Sequence, residues 1–340
     1  MKRLACIVSI FVLFIGCSII DDDLSVCGDP YTINYEMRLV TDMQMTINEE
    51  LTLAIEEKMA VALKEWLGPI ITGQAHDLNV NFYSLDGQDK LKEHWEDVID
   101  ATQKSYTLTI PREDYMHLAV VNIAENDNVS LLGQQHSTTL KLEQKEADTL
   151  SSQATAVYTA RELMLMAQDT TIDKYDVHLY MVNSVVALVI DTLGVEVPKM
   201  DVVLSGTATG FEVKDSVFTF EHPSIIRADR LMSQCYAVVT WPSKGEEKTL
   251  SPAPARNGVK KENEQETTYW ELRSYVTLPN GSITETVFSI YEPLEAGALE
   301  IIRVNMAEDG SLEPVDDGKY EMGATVTLDW KDGGTHEIDI

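Results

Sequence analysis

The sequence has little positive charge. Lys and Arg number 26 against 56 Asp and Glu, which gives a formal net charge of −30 at pH 7. A surface of this sign repels phosphate, so nucleic acids and anionic lipid headgroups are poor partners for the protein. Cations and basic patches on other proteins remain compatible with it.

The sequence also lacks the short motifs that mark most catalytic sites. The patterns GxSxG and GxGxxG and the Walker loop are absent, and the seven histidines are scattered, with none in an HExxH pattern. Paired carboxylates carry no information among so many acids. Residues 125–128 lack the spacing of an EF-hand, so a solvated turn is favoured over a Ca²⁺ loop. We therefore predict that the protein is not an enzyme and has no metal site, no cofactor and no small-molecule substrate.

The N-terminus has the features of an export signal. Two cations precede an apolar run, residues 4–15, that is shorter than the roughly 20 residues a membrane-spanning helix needs. The sequence LFIGC at residues 13–17 resembles a bacterial lipobox, although Phe14 replaces the usual small aliphatic residue. We predict that residues 1–16 are a lipoprotein signal peptide and that Cys17 carries fatty acids such as palmitate. The alternative, an ordinary signal peptide cut elsewhere, is disfavoured because no Ala-x-Ala site lies nearby.

The residues after Cys17 indicate where a lipidated chain would reside. Two or more acyl chains hold a folded domain firmly on a membrane. The acidic run at residues 21–23 resembles the export tag that sends Bacteroidetes lipoproteins to the outer face of the outer membrane, and it is equally typical of a solvated tether. We predict a lipidated acidic tether over residues 17–28 and a lipid-anchored, surface-exposed location at the outer membrane. Loss of the leader changes the formal charge from −30 to about −32.

Only two cysteines remain beyond the leader and the anchor, Cys27 and Cys235. Outside the cytoplasm a disulfide between them is permitted, and it would clip the N-terminal strand to the second half of the chain. Two unpaired buried thiols are the alternative.

The first elements of the body are a strand and a helix. Residues 31–39 alternate between polar and apolar side chains, which predicts a strand with one core-facing side, made of Tyr31, Ile33, Tyr35, Met37 and Leu39. Asn48 is a good N-cap, and apolar residues then recur at helical spacing as far as Gly68-Pro69. We therefore predict a helix over residues 48–67.

Strand patterns dominate the remainder. The predicted strands are 78–85, 106–110, 118–123, 177–190, 200–204, 212 with 217–220, 235–241, 270–278, 284–291, 299–305, 321–330 and 335–340. Residues 162–166 are interpreted as a helical turn, 170–175 as the interdomain connection and 243–266 as a long exposed loop. Strands without helices between them favour antiparallel sheets. We therefore predict a mainly β protein with two β-sandwich domains in tandem, residues 29–170 and 174–340.

The order of these elements resembles the FimB/Mfa2 family of fimbrial anchor lipoproteins of Bacteroides and Porphyromonas relatives. The lipobox, the alternating first strand and the helix contribute to the resemblance. The other segments that carry it are residues 22–27 (DDLSVC), 81–88 (NFYSLDGQ), 106–111 (YTLTIP), 121–122, 177–179 leading into 185–190, and 205–211 (SGTATGF).

The resemblance implies two transthyretin-like β-sandwich domains at the base of a fimbrium. In this pilus type a protease removes the first strand of a fimbrillin, and a neighbour's C-terminal strand fills the groove by β-strand addition. An anchor keeps its first strand and its lipid, attaches the fimbrium to the outer membrane and takes part in assembly by strand pairing with a fimbrillin stalk subunit. The residues 31–39 named above would be the retained strand. Residues 335–340, with Thr335, Ile338 and Ile340, would be the docking strand, or else the last strand of the chain's own second sandwich.

Two other functions remain open. A fimbrillin stalk or tip subunit would need an Arg or Lys in a loop after the first strand, but Arg38 lies inside the predicted strand and Lys58 and Lys64 lie on the predicted helix. A surface glycan-binding lipoprotein would need exposed aromatic rings, and of the five tryptophans Trp95 is the best candidate.

Overall fold

The computed structural model describes residues 30–40, 57–72, 77–85, 91–100, 105–124, 126–167, 174–191, 197–245, 268–315 and 320–328. The elements of the first half are β1 (Pro30–Val40), α1 (Glu57–Thr72), β2 (Asp77–Leu85), β3 (Leu91–Asp100), β4 (Ser105–Pro111), β5 (Asp114–Val121), β6 (Val129–Leu132), β7 (Lys141–Gln144), β8 (Leu150–Ser151), β9 (Tyr158–Leu165) and β10 (Lys174–Met181). Those of the second half are β11 (Ser184–Asp191), β12 (Lys199–Ser205), β13 (Gly210–Glu212), β14 (Val217–Thr219), β15 (Ile225–Arg227), β16 (Asp229–Met232), β17 (Cys235–Thr240), β18 (Trp270–Thr277), β19 (Ile283–Ile290), β20 (Leu299–Met306), β21 (Leu312–Pro314) and β22 (Tyr320–Leu328). The protein is thus mainly β, as predicted.

The first half is built around a seven-stranded sheet in the order β3-β2-β5-β9-β10-β1-β4. One face of this sheet packs against α1, through Leu63 and Leu67. The other face packs against a four-stranded sheet in the order β14-β13-β7-β6, where Leu118 meets Leu142 and Phe211 in one buried cluster. Both faces of the large sheet are therefore covered.

The second half contains a sandwich of a five-stranded sheet, β16-β17-β11-β20-β21, and a six-stranded sheet, β22-β19-β18-β12-β15-β8. Strand β11 is buried on both sides. Val186, Leu188 and Ile190 face the core of this sandwich, whereas Val185 and Ala187 join the core that contains α1. Burial on both faces explains why this stretch is almost continuously apolar.

Helix α1 lies between the two halves. Its Met59 packs with Val189 and Cys235 of the five-stranded sheet. The predicted start of the helix at Asn48 lies outside the described residues, and the predicted end is wrong, because α1 continues through Gly68-Pro69 to Thr72. The buried side chains of Ile70 and Ile71 hold this last turn in place, so packing outweighs the loss of one backbone hydrogen bond at proline.

Two of the predicted elements need correction, and one strand has no predicted counterpart. The helical turn predicted at residues 162–166 is part of β9, whose backbone pairs along its whole length with β5. The single strand predicted at residues 177–190 is two strands, β10 and β11, separated at the buried Asn183. The Asn183 side chain accepts a hydrogen bond from the Val157 N–H and donates one to Gln153, which fixes the crossing of the chain from one sheet to the other. Strand β3 was not predicted.

The sheets are mixed rather than purely antiparallel. In the described part of the chain, β1 pairs in parallel with β10, β11 with β20, and β8 with β15. Parallel neighbours need a long connection, so they arise between segments far apart in the chain, which local spacing does not reveal. Strand β10 belongs to the first sheet, although residues from 174 onward were assigned to the second predicted domain. The segment 246–267 of the predicted long loop and the predicted strand 335–340 lie outside the described residues.

Candidate functional site: the first strand and its groove

The first strand lies inside the seven-stranded sheet. On one edge β1 pairs in parallel with β10, from Asn34 opposite Lys174 to Val40 opposite Tyr180. On the other edge it pairs antiparallel with β4, from Pro30 opposite Pro111 to Glu36 opposite Ser105. Among the described strands, β4 has no other neighbour in the sheet. The pairing of β4 with the rest of the sheet therefore depends on β1.

Alternate side chains of β1 fill the core, as predicted. Ile33 and Tyr35 are fully buried and Met37 is buried, and all three pack in the cluster that contains α1. Leu39, which the alternation places on the core-facing side, is instead 38% exposed beyond the edge of that cluster. The Tyr31 side chain lies outside the part of the structure that is described. The groove filled by the first strand is thus occupied mainly by three side chains.

A buried hydrogen-bond chain ties β1 to the centre of the sheet. The Tyr35 Oη atom lies 2.7 Å from His117 Nε2, and His117 Nδ1 lies 3.1 Å from the carbonyl oxygen of Asn81. A carbonyl oxygen only accepts, so Nδ1 carries the proton and Nε2 accepts the hydrogen bond that the Tyr35 hydroxyl donates. Phe82 stacks on the imidazole, with ring centroids 4.3 Å apart. Both imidazole nitrogens are satisfied by this arrangement.

Burial controls the ionisation of both side chains. It lowers the pKa of His117 from 6.5 to about 4, and the hydrogen bond to Asn81 only partly opposes this shift. Burial, and secondarily the charge of Glu162, raises the pKa of Tyr35 well above its ordinary value. The pair is therefore neutral at pH 7, which suits two side chains that are fully buried.

The opposite face of β1 is polar and exposed. Lys174 Nζ lies 2.9 Å from Glu36 Oε2 and 3.3 Å from Asp176 Oδ1, and these hydrogen bonds raise the pKa of the lysine. Arg38 is exposed and pairs through its backbone with His178. Exposed ion pairs contribute little to stability, so the strand is held by its buried face and its two ladders.

The outer strands β3 and β4 approach each other across a cavity of about 260 Å³, bordered by residues from β2, β3 and β4. Trp95 stands at its rim and is exposed, as predicted from the sequence. Phe82 and Ile110 line the apolar part and Glu96 the polar part. Among the described strands, β3 and β4 are each paired on one side only, so the other edge of each presents backbone groups that another strand could pair with.

Several predicted site residues lie outside the described ranges. These are the lipidation site Cys17, the cysteine Cys27 and the candidate docking residues Thr335, Ile338 and Ile340. Cys235 is fully buried and forms no disulfide within the described residues, and burial raises the pKa of its thiol to about 12. A disulfide between Cys27 and Cys235 stays a prediction.

The described residues contain no cluster that could hold a metal. No three or more His, Cys, Asp and Glu side chains come together in these ranges. In the turn predicted at residues 125–128, Asn126 Oδ1 accepts a hydrogen bond from the Asn128 N–H, and Asn126 Nδ2 donates one to Gln153. The amide of Asn126 therefore stabilises the turn itself. No helix of the described part is long and apolar enough to cross a membrane.

The sequence patterns did not identify His117 as the buried hydrogen-bond partner of β1. The apolar residues at alternate positions of β5 place His117 on the buried face, between Tyr115 and Ala119. A histidine on such a face needs buried partners. The partner Tyr35, however, is 82 residues away in the sequence, so no local pattern identifies it.

Comparisons with known proteins add likenesses of structure only. No protein-family model matches the chain, and no curated protein matches it. A proposed adhesin from Bacteroides ovatus is similar at 11% identity over 89% of this chain and 98% of its own, with a TM-score of 0.49. A proposed polysaccharide-binding protein from Bacteroides thetaiotaomicron is similar at 8% identity over 84% and 98%, with a TM-score of 0.48. The fimbrial anchor protein Mfa2 from Porphyromonas gingivalis is similar at 10% identity over 89% and 98%, with a TM-score of 0.42. A fimbrial anchor, the type of protein that the sequence resembles, is thus among these structures.

Proposed function

We propose that this protein is a fimbrial anchor lipoprotein that attaches a fimbrium to the outer membrane and keeps its own first strand. The observation that carries the proposal is the position of β1, which is paired on both edges and buried through Ile33, Tyr35 and Met37. A stalk subunit of this pilus type loses that strand and receives a neighbour's. An anchor retains it, together with the lipid that precedes it.

Removal of β1 would be costly to this fold. Each large apolar side chain withdrawn from the core forfeits about 1.5–3 kcal/mol of burial. Strand β4 would also lose the one described strand that pairs with it, and His117 Nε2 would lose its hydrogen-bond donor. The remaining chain would need another strand in the same groove to stay folded.

The connection after β1 offers no site to a protease that cuts at basic residues. Residues 39–57 contain neither Lys nor Arg. Arg38 lies within β1 and is paired through its backbone with β10, and Lys58 and Lys64 lie in α1. A protease needs several residues of unpaired, extended chain, so paired strand and helix are poor substrates. This distribution favours a retained strand over a cleaved fimbrillin.

The partners follow from the same proposal. Cys17 would carry the fatty acids that hold the chain in the outer membrane, with residues 17–28 as an acidic tether. The fimbrillin stalk subunit would pair with residues 335–340, or with the free edge of β3 or β4, by β-strand addition. The predicted domain boundary at residues 170–174 would separate the membrane-proximal part of the anchor from its stalk-proximal part.

The experiment is a comparison of cells that carry Cys17→Ala with cells that carry Cys27→Ala, a matched control that removes a thiol from the same segment. The proposal predicts that Cys17→Ala releases fimbriae into the medium, whereas Cys27→Ala leaves them attached. Equal retention of fimbriae by both strains would contradict the proposed anchoring. Deletion of residues 335–340 tests the docking strand separately, and unchanged attachment would remove that segment from the proposal.

A further inference from the structure

A second surface of the molecule has the chemistry of a small-ligand site. It is a pocket of about 590 Å³ on the outward side of the six-stranded sheet. Its floor is formed by β12 and β18, and its wall by the segment 220–225 that leads from β14 into β15. This volume lies within the range of pockets that bind small ligands, about 300–1,000 Å³. The pocket belongs to a different sheet from the groove of β1.

Aromatic and aliphatic side chains provide the apolar part of this pocket. Phe220 is 41% exposed, Ile225 is also exposed, and Tyr275 is half-buried beside them. Val203 lies on the same outward face, between Arg273 of β18 and Arg227 of β15. Large apolar side chains grouped at the surface of a concave site provide area for an apolar ligand face.

The charges at this pocket disfavour an anionic ligand. The only guanidinium among its lining residues, Arg273, is held by Glu271 at 2.7 Å and faces Glu285 at 3.5 Å. Glu221 adds a further carboxylate to the lining. Arg227, beside Val203 on the same face, is a second cation nearby, but the three carboxylates Glu221, Glu271 and Glu285 outnumber the two guanidinium groups. Phosphates and acidic sugars would therefore meet net repulsion.

One hydroxyl at the pocket has no partner among the described residues. Ser224 lines the pocket and is only 4% exposed. Its Oγ atom makes no hydrogen bond to any described residue. A buried hydroxyl without a partner is unfavourable and is rare in folded proteins, so a ligand hydroxyl that reached it would gain a full hydrogen bond.

We propose that this pocket binds a neutral oligosaccharide. A sugar ring has an apolar C–H face that matches Phe220 and Tyr275, and hydroxyl groups that match Ser224 and Glu221 of the lining. It carries no charge that the acidic rim would repel. The proposal is independent of fimbrial anchoring, because it concerns neither β1 nor the lipid.

The test uses the full chain in detergent and four probes. Three are neutral hexasaccharides, of glucose, mannose and N-acetylglucosamine, and the fourth is the acidic hexagalacturonate. Binding is detected by saturation-transfer NMR and quantified by calorimetry. We expect at least one neutral probe to bind with a Kd below about 1 mM, and hexagalacturonate to bind at least about tenfold more weakly than that probe.

Variants locate the site. Phe220→Ala should weaken binding about tenfold, as expected for the loss of one ring contact. Ser224→Ala should weaken binding several-fold without lowering the Tm, because its buried hydroxyl makes no hydrogen bond to any described residue. The controls are Trp95→Ala and Tyr180→Ala, two exposed rings outside this pocket, and they should bind like the parent chain.

Three results would overturn the proposal. They are the absence of binding by every neutral probe, a preference for hexagalacturonate, and undiminished binding by a folded Phe220→Ala variant. Folding of that variant is checked by its Tm. Ser224→Ala supplies a second variant whose fold does not depend on the side chain removed.

Discussion

The hydrogen bond between Tyr35 and His117 gives the sharpest test of how the first strand is held. Tyr35→Phe removes only the hydroxyl and keeps the buried ring. His117 Nε2 then stays buried without a donor, since Nδ1–H remains committed to the Asn81 carbonyl. A buried group left unsatisfied costs about 1–3 kcal/mol, so the free energy of unfolding should fall by that amount.

The measurement is urea unfolding followed by tryptophan fluorescence, with an unchanged m-value as the sign that only stability has changed. Tyr180→Phe, on the neighbouring strand β10, is the matched control, because its side chain is 59% exposed and water can solvate the hydroxyl in the parent chain. The control should lie within about 0.5 kcal/mol of the parent.

A double-mutant cycle isolates the contact from other effects. In a His117→Leu background the Tyr35 hydroxyl has lost its acceptor, so Tyr35→Phe should be neutral or stabilising there, and the coupling should be about 1–3 kcal/mol. Equal effects of Tyr35→Phe in the two backgrounds, or an effect no larger than that of Tyr180→Phe, would refute the reasoning.

Three further predictions follow from named residues. The pKa of His117 is about 4 in the folded chain and 6.5 for an ordinary histidine, so the unfolded chain binds more protons between these pH values. The free energy of unfolding should therefore fall by about 3 kcal/mol from pH 6.5 to 4. In urea titrations over this window, His117→Leu should flatten the dependence of that free energy on pH, and an unchanged dependence would contradict the assignment. Gly206→Ala should lower the free energy of unfolding by about 1–3 kcal/mol, because Gly206 has a φ of +89° and an added Cβ would lie 2.9 Å from the Trp270 Cα. A urea midpoint equal to that of the parent chain would contradict this prediction. Burial raises the pKa of the Cys235 thiol to about 12, so N-ethylmaleimide should not label Cys235 at pH 8 in the native chain. It should label Cys235 in urea, unless a disulfide with Cys27 protects the thiol. Labelling before unfolding would contradict the burial.

Local patterns predicted much of this fold. The alternation of residues 31–39 identified β1 and its buried face, and the apolar pattern of residues 177–190 indicated strand structure, which the fold divides into β10 and β11. The turn Pro279-Asn280-Gly281 joins the predicted strands at residues 270–278 and 284–291, which are β18 and β19. It works because Gly281 adopts a φ of +84° and the Asn280 side chain accepts a hydrogen bond from the Ser282 N–H.

What the patterns missed has physical causes. Strand β3 carries acidic residues along most of its length, as the exposed outer strand of a sheet often does, so it lacks an apolar period. Strand β9 contains good helix formers, but its ladder with β5 outweighs their weak intrinsic preference. The parallel pairing of β1 with β10 and the contact of Tyr35 with His117 join distant segments. Such contacts are set by the whole fold, not by local sequence.

The central claim is that the first strand stays attached to a lipidated N-terminus in the working protein. The most direct measurement is the intact mass of the chain extracted from the outer membrane and from purified fimbriae. The account predicts one species in both samples, beginning at Cys17 with fatty acids attached and including residues 30–40. A chain in fimbriae that begins after Val40 and carries no fatty acid would contradict it.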